Sequence, residues 1–259
     1  MAIKITLTKE QAKLVSIACE FYARIKIGQF NEIVWNTFSF NPDVIKNVPA
    51  AEFCDRRDKA EEALLAARKF IYPELHGIGH SYGIGKFEDA DMAFDIYQVI
   101  RPHFGDDRSP FTFSRALPLC ERKEEGSGEG EFTLILTMPE EQAEILTTAC
   151  DLFAKVKRGK FDRIMAITLD KNLPDTEYFS RRSAAETLLL AARQQIYPDL
   201  YPCLGCFYDT NKYEDAAVLE EIHYVVGNFL KGFSSYPSSP FPKIEKVKEK
   251  EEKKERKKK

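Results

Sequence analysis

The segment His76-Gly77-Ile78-Gly79-His80-Ser81-Tyr82-Gly83-Ile84-Gly85-Lys86 is glycine-rich and ends on a lysine, the composition of a loop that could cradle a phosphate. Two familiar phosphate motifs do not fit it. A phosphate loop of the G-x-x-x-x-G-K-[ST] type needs glycine where His80 stands and Ser or Thr where Phe87 stands. A dinucleotide fingerprint needs a strand before the glycines and a βαβ unit around them, and neither is in prospect. The helix that should come next opens with Glu88, Asp89 and Asp91, which already satisfy its positive end and leave an anion little to gain. Two readings stay open: a turn that backbone geometry obliges to be glycine, or a ligand-contacting loop in which glycines allow close approach.

Arginines form the second candidate set. Arg57 and Arg68, their later counterparts Arg182 and Arg193, and Arg24 are all able to bridge acidic side chains. Arg56-Arg57 opens a helix, where the dipole disfavours cations, so its repetition as Arg181-Arg182 points to an anion or carboxylate partner. Arg101 ends a helix, where a cation is welcome. Metal chemistry has little to stand on: Cys203-x-x-Cys206 lacks a second cysteine pair, and His76, His80, His103 and His223 lack metal spacing. Glu88, Asp89, Asp91 and Asp95 resemble a carboxylate cluster, but helix-start preference and a solvated face account for them. No G-x-S-x-G elbow occurs. No cofactor is expected, and the chain reads as a binder rather than an enzyme.

Any of these residues must be positioned by a repeated scaffold. Ala18-Cys19-Glu20-Phe21-Tyr22-Ala23-Arg24-Ile25-Lys26 returns as Ala149-Cys150-Asp151-Leu152-Phe153-Ala154-Lys155-Val156-Lys157, 131 residues on. Leu64-Leu65-Ala66-Ala67-Arg68 and Ile71-Tyr72-Pro73 return as Leu189-Leu190-Ala191-Ala192-Arg193 and Ile196-Tyr197-Pro198, 125 residues on, so the second copy is six residues shorter between helices. The reading is a first module over 1–119, a flexible Gly/Ser/Glu linker over 120–131, a diverged second module over 132–242 and a charged disordered tail over 243–259.

Each module reads as one short strand and about three helices. Ile3, Ile5 and Leu7 alternate with polar residues, as do Phe132, Leu134 and Leu136. Thr8 with Gln11, and Thr137 with Glu140, have the spacing of a capping box, and Gly28 and Gly159 should end the helices that come after. Further helices are expected from about Asp55 to Pro73 and from Asp89 to His103. The fold class is therefore α+β, mainly α, with the two modules in a pseudo-twofold arrangement and their N-terminal strands pairing.

Bulk composition agrees with a folded, non-membrane protein. The 259 residues are 44% hydrophobic and 12% aromatic, and charges break every apolar run well below the roughly 18 residues of a membrane span. No secretion signal is read at the N-terminus, so the expected location is the cytoplasm, that of the host cell if the chain is viral. Before Lys243 the chain carries 28 basic against 36 acidic residues, about −8, which disfavours sequence-specific nucleic acid as a partner.

The runs Phe21-Tyr22-Ala23-Arg24, Gly28-Gln29-Phe30-Asn31-Glu32-Ile33, Tyr72-Pro73-Glu74-Leu75, Ser81-Tyr82-Gly83-Ile84 and Asp95-Ile96-Tyr97-Gln98-Val99-Ile100-Arg101 resemble a family of small tailed-bacteriophage proteins. The resemblance covers most of residues 3–104; typical relatives carry one module where this chain has two. It implies a relation to phage sponge proteins that soak up cyclic-nucleotide immune signals of bacterial anti-phage (CBASS) systems. It also implies non-catalytic capture of a small anionic ligand, with Arg24 and Arg101 neutralising phosphate, Tyr82 and Tyr97 stacking on a base, Ser81 and the Gly83 backbone hydrogen bonding, and His80 beside them. In the second copy Tyr97 becomes His223 and Arg101 becomes Gly227. The alternatives are an inhibitor that binds a host protein and a nucleotide-cleaving enzyme; further homo-oligomerisation is also open.

Overall fold

The computed structural model describes residues 2–38, 48–77, 80–83, 85–106, 108, 117–124, 132–200, 213–233 and 242–247. The protein is α+β and mainly helical, with one four-stranded antiparallel sheet among the described residues. Strand β1 (Ala2–Thr8) leads into α1 (Lys9–Lys26), followed by a short α2 (Asn31–Phe38), a long α3 (Ala50–Ile71), and α4 (Glu88–Ile100) with a 3₁₀ turn over Arg101–Phe104. Strand β2 (Leu119–Glu124) and strand β3 (Phe132–Pro139) come next, then α5 (Glu140–Lys157), α6 (Asp162–Thr168), α7 (Asp175–Ile196), α8 (Glu214–Leu230) and β4 (Lys243–Lys246).

The sequence repeat has a counterpart in the spacing of the helices. Helices α1 and α5 begin and end 131 residues apart, and α3 and α7 begin and end 125 apart. Pro49 and Pro174 precede the long helices with φ −55° and −53°; Tyr72 and Tyr197 end them with φ −129° and −128°. Both first helices stop in a Schellman motif. The Gln29 N–H bonds back to Arg24 O and that of Lys160 to Lys155 O, around Gly28 and Gly159 at φ +90° and +86°.

The compact units do not follow the repeat boundaries, because each copy buries its apolar surface against the other. One unit comprises Met1–Glu20, Asp91–Asp151 and Val218–Lys259; the other comprises Phe21–Ala90 and Leu152–Ala217. In the first, the sheet runs in the order β2-β3-β1-β4. Strands β1 and β3 pair antiparallel with Ile3 opposite Met138, Ile5 opposite Leu136 and Leu7 opposite Leu134. All six side chains are buried, on one face of the pleat. Counted from the helix that each strand feeds, Ile5 and Leu136 are equivalent, so the register is the same read from either copy.

Two segments differ from the sequence reading. Leu119–Glu124, expected largely as linker, and Lys243–Lys246, expected as tail, are strands at the two edges of the sheet. Their main chains bond to β3 and β1 while their charged side chains stay in solvent, the usual defence of an edge against further pairing. The capping box also forms in one copy only. Thr8 N donates to Gln11 Oε1 and Gln11 N to Thr8 Oγ1, each at 3.2 Å. In the second copy Thr137 lies within β3, and Pro139 holds the position of Thr8. Proline has no N–H to give, and the buried Gln142 Oε1 has no hydrogen-bond partner.

In the other unit α3 and α7 pack together, antiparallel, as Arg56 in the second turn of α3 shows by donating to Gln195 O near the end of α7 at 2.9 and 2.7 Å. Ala60, Leu64 and Ala67 are buried, as are Ala185, Leu189 and Ala192. The Phe21 and Phe153 rings meet at 5.0 Å. Arg56 thus completes another helix's terminal carbonyl, while its neighbour Arg57 pairs with Asp58 at 2.8 Å; because the helix begins at Ala50, both stand in its second turn and not at the helix start that the sequence suggested.

Candidate functional site

The second of these units contains a cleft of about 620 Å³. One wall comes from the first copy: Tyr22 and Lys26 from the end of α1, Ile71–Glu74 from the end of α3, Tyr82 from the glycine-rich segment, and Lys86, Phe87 and Asp89 at the start of α4. The other wall comes from the second copy: Ala166–Leu173 at and after the end of α6, and Arg181 on α7.

Local sequence fixes this arrangement. The left-handed φ of +90° favours glycine at position 28, and a Cβ there would sit 2.5 Å from Leu75 Cδ1, so Leu75 would also have to shift. Arg68, buried on α3, donates to Gly28 O at 3.3 Å, His80 O at 2.8 Å and Gly77 O, tying that turn to the glycine-rich segment. Desolvation by burial lowers its pKa. In the second copy Arg193 Nε donates to Gly159 O at 2.7 Å. Both arginines bind backbone carbonyls here. Tyr82 N adds a bond to Ile27 O at 2.8 Å, and Gln29 Nε2 one to Ser81 Oγ at 3.3 Å.

The aromatic part of the wall is a cluster of edge-to-face rings. Tyr82 meets Tyr72 at 5.3 Å and 88°, and Phe87 at 5.3 Å and 86°. Lys86 Nζ lies 5.3 Å from the Tyr82 ring centre and Lys26 Nζ 5.4 Å from that of Phe87. Lys26 also pairs with Asp89 at 2.8 Å and donates to Ile167 O at 2.9 Å, joining the two walls. Tyr22 donates its hydroxyl to the same Asp89 carboxylate at 2.8 Å, and Tyr72 to Lys26 O at 2.8 Å. Burial, reinforced by Asp89, raises the Tyr22 pKa; burial, reinforced by Glu74, raises that of Tyr82. The hydrogen bond from Tyr82 in turn holds Glu74 below the usual carboxylate range.

Of the seven residues expected to form the site, Tyr82 lines this cleft. Arg24 donates to Gln29 Oε1 at 2.9 Å and faces Glu32 at 3.5 Å, so together with Ser81 it belongs to the bonds that pin the loop. His80 is exposed, and its Nδ1 accepts from Gly77 N at 3.1 Å. Gly83 O accepts from Lys86 N at 3.3 Å, and a side chain there would meet nothing within 4 Å. Tyr97 and Arg101 lie in the first unit. There Arg101 is buried, bonds to Asp106 at 3.0 Å and Arg108 O at 2.7 Å, and lies over the Tyr97 ring at 5.6 Å, while Arg108 donates to the Tyr97 hydroxyl at 3.2 Å. Arg24 and Arg101, expected on phosphate, thus each face a carboxylate.

Sequence reasoning passed over Tyr22, Lys26, Tyr72, Glu74, Lys86 and Phe87. A usable signal was present: Lys26, Tyr72 and Asp89 recur as Lys157, Tyr197 and Asp215, and the bonds recur with them. Lys157 pairs with Asp215 at 2.8 Å, and the Tyr197 hydroxyl donates to Lys157 O at 2.7 Å. Among the described residues no group of His, Cys, Asp and Glu could hold a metal ion, and none of the helices is long and apolar enough to cross a membrane. Cys203 and Cys206 lie outside the described residues. No protein-family model, curated protein or solved structure matches the chain.

Proposed function

We propose that the chain is a non-catalytic binding protein that sequesters a small anionic ligand with a planar ring, a nucleotide, in the cleft beside Tyr82. The observation that carries this reading is the meeting, on one cavity of about 620 Å³, of the Tyr72, Tyr82 and Phe87 rings with the lysines Lys86 and Lys171, the Lys86 ammonium lying 5.3 Å from the Tyr82 ring centre. That volume suits a small organic ligand, which by general experience occupies roughly 300–1,000 Å³. Stacking of a base on an aromatic ring contributes about 1–3 kcal/mol. Lysine at the same ring supplies charge for a phosphate. Arg24, Ser81 and Arg68 hold the loop that carries Tyr82, so they act on the ligand through that ring.

The cleft's carboxylates favour holding over turnover. Asp89 is committed to Tyr22 and Lys26, and Glu74 is kept ionised by Tyr82. Glu74, held in that form, has no proton to give as a general acid near neutral pH. The resemblance to phage proteins adds the biological role, capture of a cyclic-nucleotide immune signal. Two copies related by a pseudo-twofold axis are part of the proposal, supported by the symmetric β1–β3 register and the recurrence of the Lys26–Asp89 pair.

The test is a capture-and-release assay. The protein is incubated with a panel of cyclic nucleotides, the free ligand is measured, and heat denaturation then releases what was bound. Depletion followed by intact release is expected, and Tyr82→Ala should abolish depletion. Recovery of an altered nucleotide would overturn the reading in favour of an enzyme, and absence of depletion would favour a protein partner.

A further inference from the structure

Three carboxylates line the cleft, and they differ in what stands beside them. Asp89 already accepts from the Tyr22 hydroxyl and the Lys26 ammonium. Asp170 Oδ1 accepts from Asn172 N and Nδ2 at 2.9 and 3.1 Å within its own turn. Glu74 is different. It stands in the turn after α3, which Leu75 N closes on Tyr72 O at 3.0 Å, and it takes hydrogen bonds from the Tyr82 hydroxyl and its own backbone. An ionised carboxylate has about four acceptor sites and no donor, so roughly half remain. The same interactions keep Glu74 beside the ring on which a base would stack, and Lys86 and Arg181 are close enough to hold it charged.

Resting on the nucleotide reading above, we infer that Glu74 reads the edge of the bound base and selects guanine, through two parallel hydrogen bonds from the adjacent N1–H and N2–H donors to its carboxylate. The other bases answer an acceptor-only group badly. Adenine and cytosine each place a ring-nitrogen acceptor beside their amino donor, and uracil flanks its one N–H with two carbonyls. Each sets a lone pair against the charge of Glu74, where guanine sets hydrogen.

The experiment is titration calorimetry on the full chain, wild type and Glu74→Gln, with four probes: 3′,5′-cyclic GMP, 3′,5′-cyclic AMP, cyclic di-GMP and cyclic di-AMP. The wild type should bind each guanine form about tenfold or more tightly than its adenine counterpart, the discrimination of one bidentate contact. Glu74→Gln replaces one acceptor by a donor and should remove most of that preference while retaining binding of the adenine forms. Equal affinities in the wild type, or an unchanged preference in the variant, would overturn the base assignment while leaving capture intact. If none of the four probes binds, the capture reading falls, and the base assignment falls with it.

Discussion

The Asp89 carboxylate is 2.8 Å from the Lys26 ammonium and is shared with the Tyr22 hydroxyl at the same distance, so one acid at the start of α4 anchors two residues of the last turns of α1. The second copy keeps the ion pair as Lys157 and Asp215 but has Phe153 where Tyr22 stands, and Asp215 is the more exposed acid.

That difference sets the outcome of removing each acid. Asp89→Ala takes the acceptor from the buried Tyr22 hydroxyl and leaves the largely buried Lys26 ammonium bonded to Ile167 O but with no charge partner, and should destabilise by about 2–3 kcal/mol. Asp215→Ala removes a half-exposed acid that serves no buried hydroxyl, although Lys157 is as buried as Lys26, and should cost less, about 1–2 kcal/mol. Urea unfolding monitored by circular dichroism measures both.

Arg68→Lys keeps the charge but cannot reach three carbonyls with a planar fork. The expected loss of stability is about 2–4 kcal/mol, from charge-assisted bonds removed at a buried site. Ligand capture should weaken in addition, because Gly77 and His80 are released from the turn that sets Tyr82. Arg193→Lys should match the stability loss and leave capture at the Tyr82 cleft nearly unchanged, which separates the two effects in a single assay.

Pro139→Thr should restore the capping box that the second copy lacks. The new N–H gives the buried Gln142 Oε1 a donor, and the new hydroxyl accepts from Gln142 N, as at Thr8 and Gln11. A gain of about 0.5–2 kcal/mol is expected. A raised urea midpoint at unchanged slope would establish it; an unchanged midpoint would mean that Gln142 finds no benefit from the donor.

Burial, assisted by Arg122, lowers the His103 pKa below its ordinary 6.5. A histidine in that state binds fewer protons folded than unfolded. Its contribution to stability is therefore complete above about pH 6.5 and is lost as the pH falls through the folded-state value. His103→Gln should flatten the fall in stability just below pH 6.5, measured as the unfolding midpoint across pH 5 to 8.

The repeat, the alternation of β1, and the helix ends at Gly28 and Gly159 were legible because each depends on residues adjacent in sequence. Strands β2 and β4 were not: Glu121, Arg122, Lys123 and Lys243 are what a solvated segment would carry, and an edge strand is chosen by a neighbour's unpaired main chain rather than by its own side chains. The short helices α2 and α6 lack the length for a clear period. For the site, glycines drew attention to Ser81–Gly83, and Tyr82 does face the cleft. The opposite wall, Ala166–Leu173, lies in the other copy and has no motif of its own, and Tyr72 and Lys26 stood only as members of the repeated runs. Only the fold brings them together.

The self-complementary register about Ile5 and Leu136 has a consequence for how this chain can change. Between two separate identical polypeptides, every replacement at such a seam would be imposed twice. Within one covalent strand pair it is imposed once, so a hydroxyl kept at Tyr22 and dropped at Phe153 is a freedom that tethering confers: one side can be held constant while the other explores new chemistry.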